Sequence, residues 1–574
     1  MMKKKLLCAA FVALAVPVAV AQVSFTDATN SLNSTTLTGG VAMAITDMND
    51  DGLDDVVRLD NGSSLEIEFQ QTDGTFQRLI VGNVDNPWGL AIADVDENGY
   101  NDIVLGGSYD GLKVVMANGD GTSYTVTNLG GPNIFLQNAN FADIDNDGSV
   151  DFFGCHDDGI SSPYRNDGSG GLSYDLALIN AESTVPSDNS GNYGSIWTDY
   201  DNDGDLDLYI AKCRQGVNDP ADGRRLNLMF QNDGNNNFTE VAEAIGLRPM
   251  RQSWASNFED IDNDGDFDVV IVNHEENHQI FENNGDGTFT NITASSGIEN
   301  ELLNVGFGIQ VVMEDFDNDG FIDILMTALR GNGDHRLFLN NGDKTFSTLS
   351  NPFNTGGITI QSAACGDLNN DGFIDFIAGF AQGFNGPSPD PDMVFMNDTN
   401  ANNWSKVILE GDESNVNGIG ARVEFYGAWG MQTREVRSGE SYGTQNSLTS
   451  HVGIGTATAI DRIVIEWPSG TVDEILNPNI NETIRVTEGE TLSVGDINLE
   501  NSFRLYPNPS SDLITITPQF SSEFVELNIY DLAGKTILTQ QVQGTGSQQL
   551  AISHLTPGIY FVQVGTITQK LIKQ

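Results

Sequence analysis

An Asp-rich segment of nine residues is written seven times along the first two-thirds of the chain, and any fold must accommodate that repeat. Its oxygen-bearing positions 1, 3, 5 and 9 are Asp47, Asn49, Asp51 and Asp55 in the first copy and Asp94, Asp96, Asn98 and Asp102 in the second. The third and fourth copies place Asp143, Asp145, Asp147 and Asp151, then Asp199, Asp201, Asp203 and Asp207. Asp260, Asp262, Asp264 and Asp268 follow, then Asp315, Asp317, Asp319 and Asp323, and finally Asp367, Asn369, Asp371 and Asp375. Position 6 is glycine in every copy. Successive copies start 47, 49, 56, 61, 55 and 52 residues apart, a spacing that fits one supersecondary unit per repeat.

Calcium takes six to eight hard oxygens, and side chains at positions 1, 3 and 5 of a tight loop converge on one point. Glycine at position 6 permits the sharp turn, position 7 offers its carbonyl, and the ninth Asp can close the shell. An EF-hand would need a bidentate Glu at position 12 and flanking helices. Position 12 here is Arg58, Leu105, Gly154, Ile210, Ile271, Met326 or Ala378, and the ninth Asp runs directly into β-type sequence such as Val269-Val-Ile-Val272. Up to seven Ca2+ ions are therefore expected, bound most weakly where Asn49, Asn98 or Asn369 replaces a carboxylate. Downstream of each loop come an apolar strand, an Asn/Asp/Gly turn and a last strand, as in Leu228-Met-Phe-Gln-Asn-Asp-Gly234 and Phe238-Thr-Glu-Val-Ala242. Four strands per repeat predict an all-β fold, a seven-bladed β-propeller closed into a ring without free sheet edges. Phe25-Thr-Asp-Ala-Thr29 reads as the strand that completes the seventh blade. Cys365 falls where other repeats carry Ile45, Ile92 or Phe141, a small core position.

The 574 residues hold 81 acidic and 26 basic side chains, a formal charge of −55. Such a charge repels nucleic acid and anionic lipid and attracts divalent cations, so no nucleic-acid partner is expected. Lys3-Lys4-Lys5, the apolar run Leu6–Val20 and Ala19-Val20-Ala21 read as a signal peptide over residues 1–21, and no later segment reads as a membrane span. Behind it remain Cys155, Cys213 and Cys365, an odd number that makes no disulfide framework.

The repeats resemble the FG-GAP/VCBS units of integrin-type propellers, and the domain expected on that basis spans residues 22–400. Beyond Asp398 the pattern stops. Asn417-Gly-Ile-Gly-Ala-Arg-Val423, Ser441-Tyr-Gly-Thr-Gln-Asn446 and Val464-Ile-Glu-Trp-Pro-Ser-Gly470 resemble the ASPIC/UnbV domain of the cartilage acidic protein-like family, a small β domain expected over residues 402–490. Arg422, Arg434, Arg437, Arg462 and Arg485 in it could pair with the acidic propeller, and His451 reads as structural. Phe503-Arg-Leu-Tyr-Pro-Asn-Pro509 and the alternating strands after it resemble a type IX secretion (Por) C-terminal sorting domain, expected over residues 495–574. That resemblance implies a C-terminal β-sandwich, the type IX secretion machinery as partner, and a destination at the cell surface or in the medium.

Two functions from different classes remain open at this point: a binding or adhesion module, and a polysaccharide-active lyase or hydrolase with its site on one mouth of the propeller. Fold cannot choose between them. The strand after each ninth Asp runs away from the loop, so its far end should reach the opposite mouth. His156, Arg214, His274, His278, Arg330 and His335 gather at those far ends, with Lys212, Arg336 and Tyr109 nearby. They are the ligand-binding residues expected for an acidic polysaccharide or a cell-surface protein.

Overall fold

The computed structural model describes residues 23–274, 277–349, 352–491, 501–506, 510, 513–531, 535–545, 548–565 and 567–573. The signal peptide expected over residues 1–21 lies outside them. The chain forms two compact units, Met1–Leu492 and Ser493–Gln574.

In the first unit, each Asp-rich loop joins the first strand of a sheet to its second, and every second strand begins on the ninth-position Asp. These strands are Asp55–Asp60, Asp102–Gly107, Asp151–His156, Asp207–Lys212, Asp268–Asn273, Asp323–Gly333 and Asp375–Gly379. Among the described residues, seven antiparallel sheets of this pattern occur. Their first strands pack on one another in turn around the propeller axis, except between the first and second blades, where the strand Thr444–Gln445 lies against both. The second strands are buried on both faces, Val269-Val-Ile-Val272 throughout, and are mostly apolar, Arg58 of the first blade being an exception that pairs with Glu68. Phe25–Asp27 pairs antiparallel with Met393–Asn397 and supplies the outer strand of the seventh blade, tying the two ends of the propeller together. Cys365 is a fully buried core residue, and Cys155 and Cys213 are buried as well.

After the propeller, Asn403–Glu410, Ser450–Gly455 and Thr483–Thr487 form one small sheet, and Arg422–Gly427, Gly430–Glu435, Arg462–Glu466 and Val472–Leu476 another. Val407, Ile419, Val423, Ile463 and Trp467 continue the core of the second and third blades, where Leu136, Phe141 and Phe152 meet them. The two regions therefore share one hydrophobic interior.

The segment Val436–Ser447 leaves this small domain and enters the centre of the propeller. Thr444–Gln445 adds a parallel strand to Met43–Thr46 of the first blade. Around it the inner strands of other blades supply partners. Gln310 Nε2 donates to Tyr442 O at 2.6 Å, Val311 N to Ser441 Oγ at 2.9 Å, Gly443 N to Asn138 Oδ1 at 2.8 Å and Cys365 N to Asn446 Oδ1 at 2.9 Å. Tyr442 is fully buried, hydrogen-bonded to Gln137 and packed against Tyr193 and Trp254. Among the described residues, this peptide occupies the axis of the propeller.

The second unit is a small β fold built around one long strand, Leu513–Asp531. Its first half pairs with Asn501–Tyr506 and Gln548–Ala551, its second half with Thr536–Thr545 and Gly558–Val564. Ile514, Ile516, Leu527, Ile529, Val562 and Val564 fill the core between them. No helix among the described residues is long and apolar enough to cross a membrane.

Candidate metal centres

Local geometry is the same in all seven loops, except that in the fourth the ninth-position Asp207 bonds only the third strand and its Oδ2 is buried without a partner. The first-position carboxylate accepts the backbone N–H groups of positions 5 and 6; for Asp260 these come from Asp264 at 3.2 Å and Gly265 at 3.0 Å. The fifth side chain accepts from the seventh N–H, as Asp264 does from Asp266 at 3.1 Å. The ninth carboxylate spans the loop, taking the second-position N–H on one oxygen and a third-strand N–H on the other: Ile261 at 3.1 Å and Asn283 at 2.7 Å for Asp268. Position 4 adopts a left-handed conformation in every copy, with φ of 54° to 60° from Asp50 to Asn370. Asn tolerates that region better than most residues, which explains its recurrence there. Glycine at position 6 has φ from 80° to 100°.

Three carboxylates converge within 4.8 Å in five loops: Asp94, Asp96 and Asp102; Asp143, Asp145 and Asp151; Asp199, Asp201 and Asp203; Asp260, Asp262 and Asp268; and Asp315, Asp317 and Asp323. That spread matches oxygens lying about 2.3–2.6 Å from one shared calcium ion. In the second to fifth loops the third-position oxygen, Oδ1 of Asp96, Asp145, Asp201 and Asp262, is buried with no hydrogen-bond partner. A buried carboxylate oxygen with nothing bound to it is costly; a divalent ion at this point would remove the cost. These clusters can hold a metal ion.

Burial, more than mutual repulsion, disfavours the charged state. It raises Asp94 and Asp143 to about 6, Asp102, Asp151 and Asp260 to about 7, and Asp199 to about 8, with neighbouring carboxylates adding to the rise.

Further residues tie the loops into one belt. Asn166, Asn283, Asn340 and Asn397 each donate from Nδ2 to the second-position carbonyl of the preceding loop, at 2.7 to 2.9 Å. Tyr124 reaches Met48 O, Asn236 reaches Asp145 O, and Gln70 Nε2 reaches Asp367 O at 3.5 Å. Sequence reading takes these Asn residues as turn formers; their recurrence at the end of the third strand is the signal that identifies them as inter-blade links. The small β domain covers the same face. Arg485 meets Asp50, Arg422 meets Asn202 and the carbonyl of Gly265, and Asn417 accepts from Asp94 N. Arg437 pairs with Glu259 and Glu435, whereas Arg462 pairs within its own domain and Arg434 bonds His451 O. A cavity of about 270 Å³ between the first two loops and this domain leaves Asp47 and Asp94 reachable by solvent.

At the opposite ends of the second strands, the six expected ligand-binding residues do not form one open basic surface. His278 is fully buried and its Nδ1 accepts from Asn273 N. His274 is buried with Nδ1 at 3.1 Å from Cys213 Sγ. His335 Nδ1 accepts from Ile360 N. Arg214 bridges Asp157 and Asp158, and Arg330 holds Asp390. His156 is half-buried; with Tyr109, Asp158 and Arg214 it makes a tight group at this mouth, in which the Tyr109 hydroxyl donates to Asp158.

Comparison with known proteins accounts for most of the chain. The FG-GAP-like repeat matches residues 47–105, 199–271, 260–326 and 315–378, the ASPIC and UnbV family residues 411–493, and the secretion system C-terminal sorting domain residues 504–574. Cartilage acidic protein 1 of Xenopus tropicalis is 25% identical over 284 residues, 47% of this chain and 41% of that protein. The Homo sapiens protein of the same name is 25% identical over 292 residues. The match thus spans about two-fifths of the length of these relatives. Among solved structures, an Agrocybe aegerita lectin described as recognising non-reducing terminal N-acetylglucosamine is 18% identical with a TM-score of 0.40, covering 56% of this chain and 84% of that one. BBS1N in complex with ARL6DN gives 9% identity and a TM-score of 0.38, covering 63% of this chain and 92% of that one. The chain is an FG-GAP-repeat propeller protein with an ASPIC and UnbV domain, carrying a sorting domain that directs it through type IX secretion to the cell surface or beyond.

Proposed function

We propose that this protein is an exported binding or adhesion module whose propeller is held in shape by calcium. The observation that carries this reading is the set of orphaned third-position oxygens in four of the five loops where three carboxylates converge. Calcium would sit among Asp94, Asp96 and Asp102 and their counterparts, supplying only charge neutralisation. The chain's own residues do the rest: backbone N–H groups orient the carboxylates, and the inter-blade Asn links pass that order to the next blade. Extracellular modules bind calcium at about 10⁻⁴–10⁻³ M, so the exported protein would be loaded and its precursor would not. Titration calorimetry with Asp264→Ala tests this: one calcium fewer per chain is expected, and an unchanged count overturns the reading.

The face left for a partner is the mouth away from the loops. Because its arginines already face carboxylates, an acidic polysaccharide would have to displace Asp157, Asp158 or Asp390, and a neutral glycan or a protein suits it better. A second reading, a polysaccharide-active enzyme, is favoured by one observation. Tyr109 is 45% exposed, sits at φ 59°, and is pushed up to about 12 by its hydrogen bond to Asp158, beside His156 and Arg214. An aromatic residue adopts that conformation far less readily than the Asn and Asp of the loop turns, and backbone strain of this kind clusters at functional sites. The second reading requires turnover on a glycan panel that Tyr109→Phe reduces at least 100-fold; binding without turnover supports the first.

A further inference from the structure

The seventh loop differs from the others in what occupies its centre, and the difference comes from outside the propeller. Lys406, on the strand Asn403–Glu410, reaches into it: Nζ lies 2.6 Å from Asp367 Oδ2 and 2.7 Å from Asn370 Oδ1, and both Lys406 and Asp367 are buried. We propose that the seventh loop is not a calcium site: the Lys406 ammonium serves as its built-in cation and locks the small β domain onto the blade that closes the propeller. This deepens the calcium reading above and rests on it.

Three observations carry it. First, every carboxylate oxygen of this loop already has a donor. Asp367 takes Asp371 N, Gly372 N and Lys406; Asp371 takes Phe373 N on one oxygen and Asn369 Nδ2 on the other; Asp375 takes Leu368 N and Asn397 N. The second to fifth loops each keep a buried Oδ1 without a partner at position 3; here position 3 is Asn369, whose amide is turned inward to Asp371. Second, charge balances without a metal. Three carboxylates and one ammonium carry the same net charge as the four carboxylates of the third to sixth loops with one divalent ion. A calcium ion added to the seventh loop would lie beside a buried ammonium, where like charges repel strongly in a poorly screened interior.

Third, the loop is clamped from the same side by two neighbours of Lys406. The Trp404 indole lies directly on Gly372, so closely that a β-carbon there would fall 1.8 Å from the ring, and His451 Nε2 is 3.0 Å from Gly372 O. The Lys406 ammonium is also 5.4 Å from the Trp404 ring centroid. The two basic side chains that pair with third-position carboxylates of other loops are placed differently. Lys344 and Arg165 approach Asp262 and Asp145 with side chains 39% and 36% exposed, against 7% for Lys406. Those flexible, half-solvated groups can withdraw when an ion enters; Lys406 cannot without leaving its charge buried and unpaired.

The test counts calcium on the full exported chain by atomic emission after dialysis against millimolar calcium. Asp371→Asn is expected to leave the count unchanged, while Asp264→Asn lowers it by one. An ion lost with Asp371→Asn overturns the proposal; no change with Asp264→Asn overturns the calcium reading itself, so the two failures are distinguishable. Lys406→Met should raise the count by one, and an unchanged count refutes the ammonium's part. Hydrogen exchange on the unmodified protein gives a readout that needs no variant to fold. On chelation, the amides of Asp264, Gly265 and Asp266 should lose protection while those of Asp371, Gly372 and Phe373 keep theirs. Simultaneous loss in both loops overturns the proposal.

Discussion

Arg437 shows how much a single side chain outside the repeats contributes. Its guanidinium is almost fully buried, pairs with Glu435 at 2.6 Å and Glu259 at 2.8 Å, and donates to Phe258 O at 2.6 Å. Even beside that cation, burial holds Glu259 at about 7, so this carboxylate depends on the guanidinium for its charge. Removing one partner of a buried charge pair leaves the others uncompensated, typically at a cost of about 3–5 kcal/mol. Arg437→Met is therefore expected to destabilise the first unit by about that amount, read by chemical denaturation in saturating calcium. Restoring half or more of the loss by adding Glu259→Gln would confirm that uncompensated charge, not lost packing, is the cause. A loss below about 1 kcal/mol would refute the account. The sequence pointed to Arg437 only as one of several arginines able to face an acidic propeller; Arg462, in the same set, stays within its own domain. Composition marks the opportunity for such a pair, and only the fold decides which arginine takes it.

Elements were legible where their signal is local. Each loop is written within nine residues, and the strand that follows begins on the ninth Asp because that carboxylate bonds both the loop and the neighbouring strand. Phe25–Asp27 could be assigned to the seventh blade because it repeats the pattern of a last strand. The segment Val436–Ser447 carried no such signal. Its Ser, Gly, Thr, Gln and Asn residues have the composition of a surface turn, yet Tyr442, Thr444 and Gln445 are buried to within 1%. What makes that tolerable is a set of partners from Asn138, Gln310 and Cys365, between 81 and 305 residues away. Buried backbone must find hydrogen bonds somewhere, and here they come from the inner edges of several blades at once. The basic residues at the far mouth failed to form an open surface for a related reason. Each is scarce among many carboxylates, so nearby Asp157, Asp158 and Asp390 claim Arg214 and Arg330 within the fold.

For the whole molecule, the charge of −55 and the buried loop carboxylates predict separable effects of pH. In the metal-free protein, Asp94, Asp143, Asp102, Asp151, Asp260 and Asp199 have folded-state values of about 6 to 8 against an ordinary 3.8. Their raised values mean that the folded chain holds protons that the unfolded chain would release. That contribution is fully present below about pH 4 and is lost as pH rises through 6 to 8. Calcium competes with those protons, so its apparent affinity should rise across the same window. The melting temperature in EDTA should therefore fall from pH 5.5 to pH 8, and the gap between calcium and EDTA should widen. Long-range repulsion among surface carboxylates also destabilises the chain, but at about 1 M salt the screening length is only ~3 Å, which removes most of it. The buried clusters are screened far less. A pH-dependent gap that persists in 1 M NaCl thus assigns the effect to the loops, whereas a gap that disappears there assigns it to the general acidity of the surface and refutes the loop carboxylates as its source.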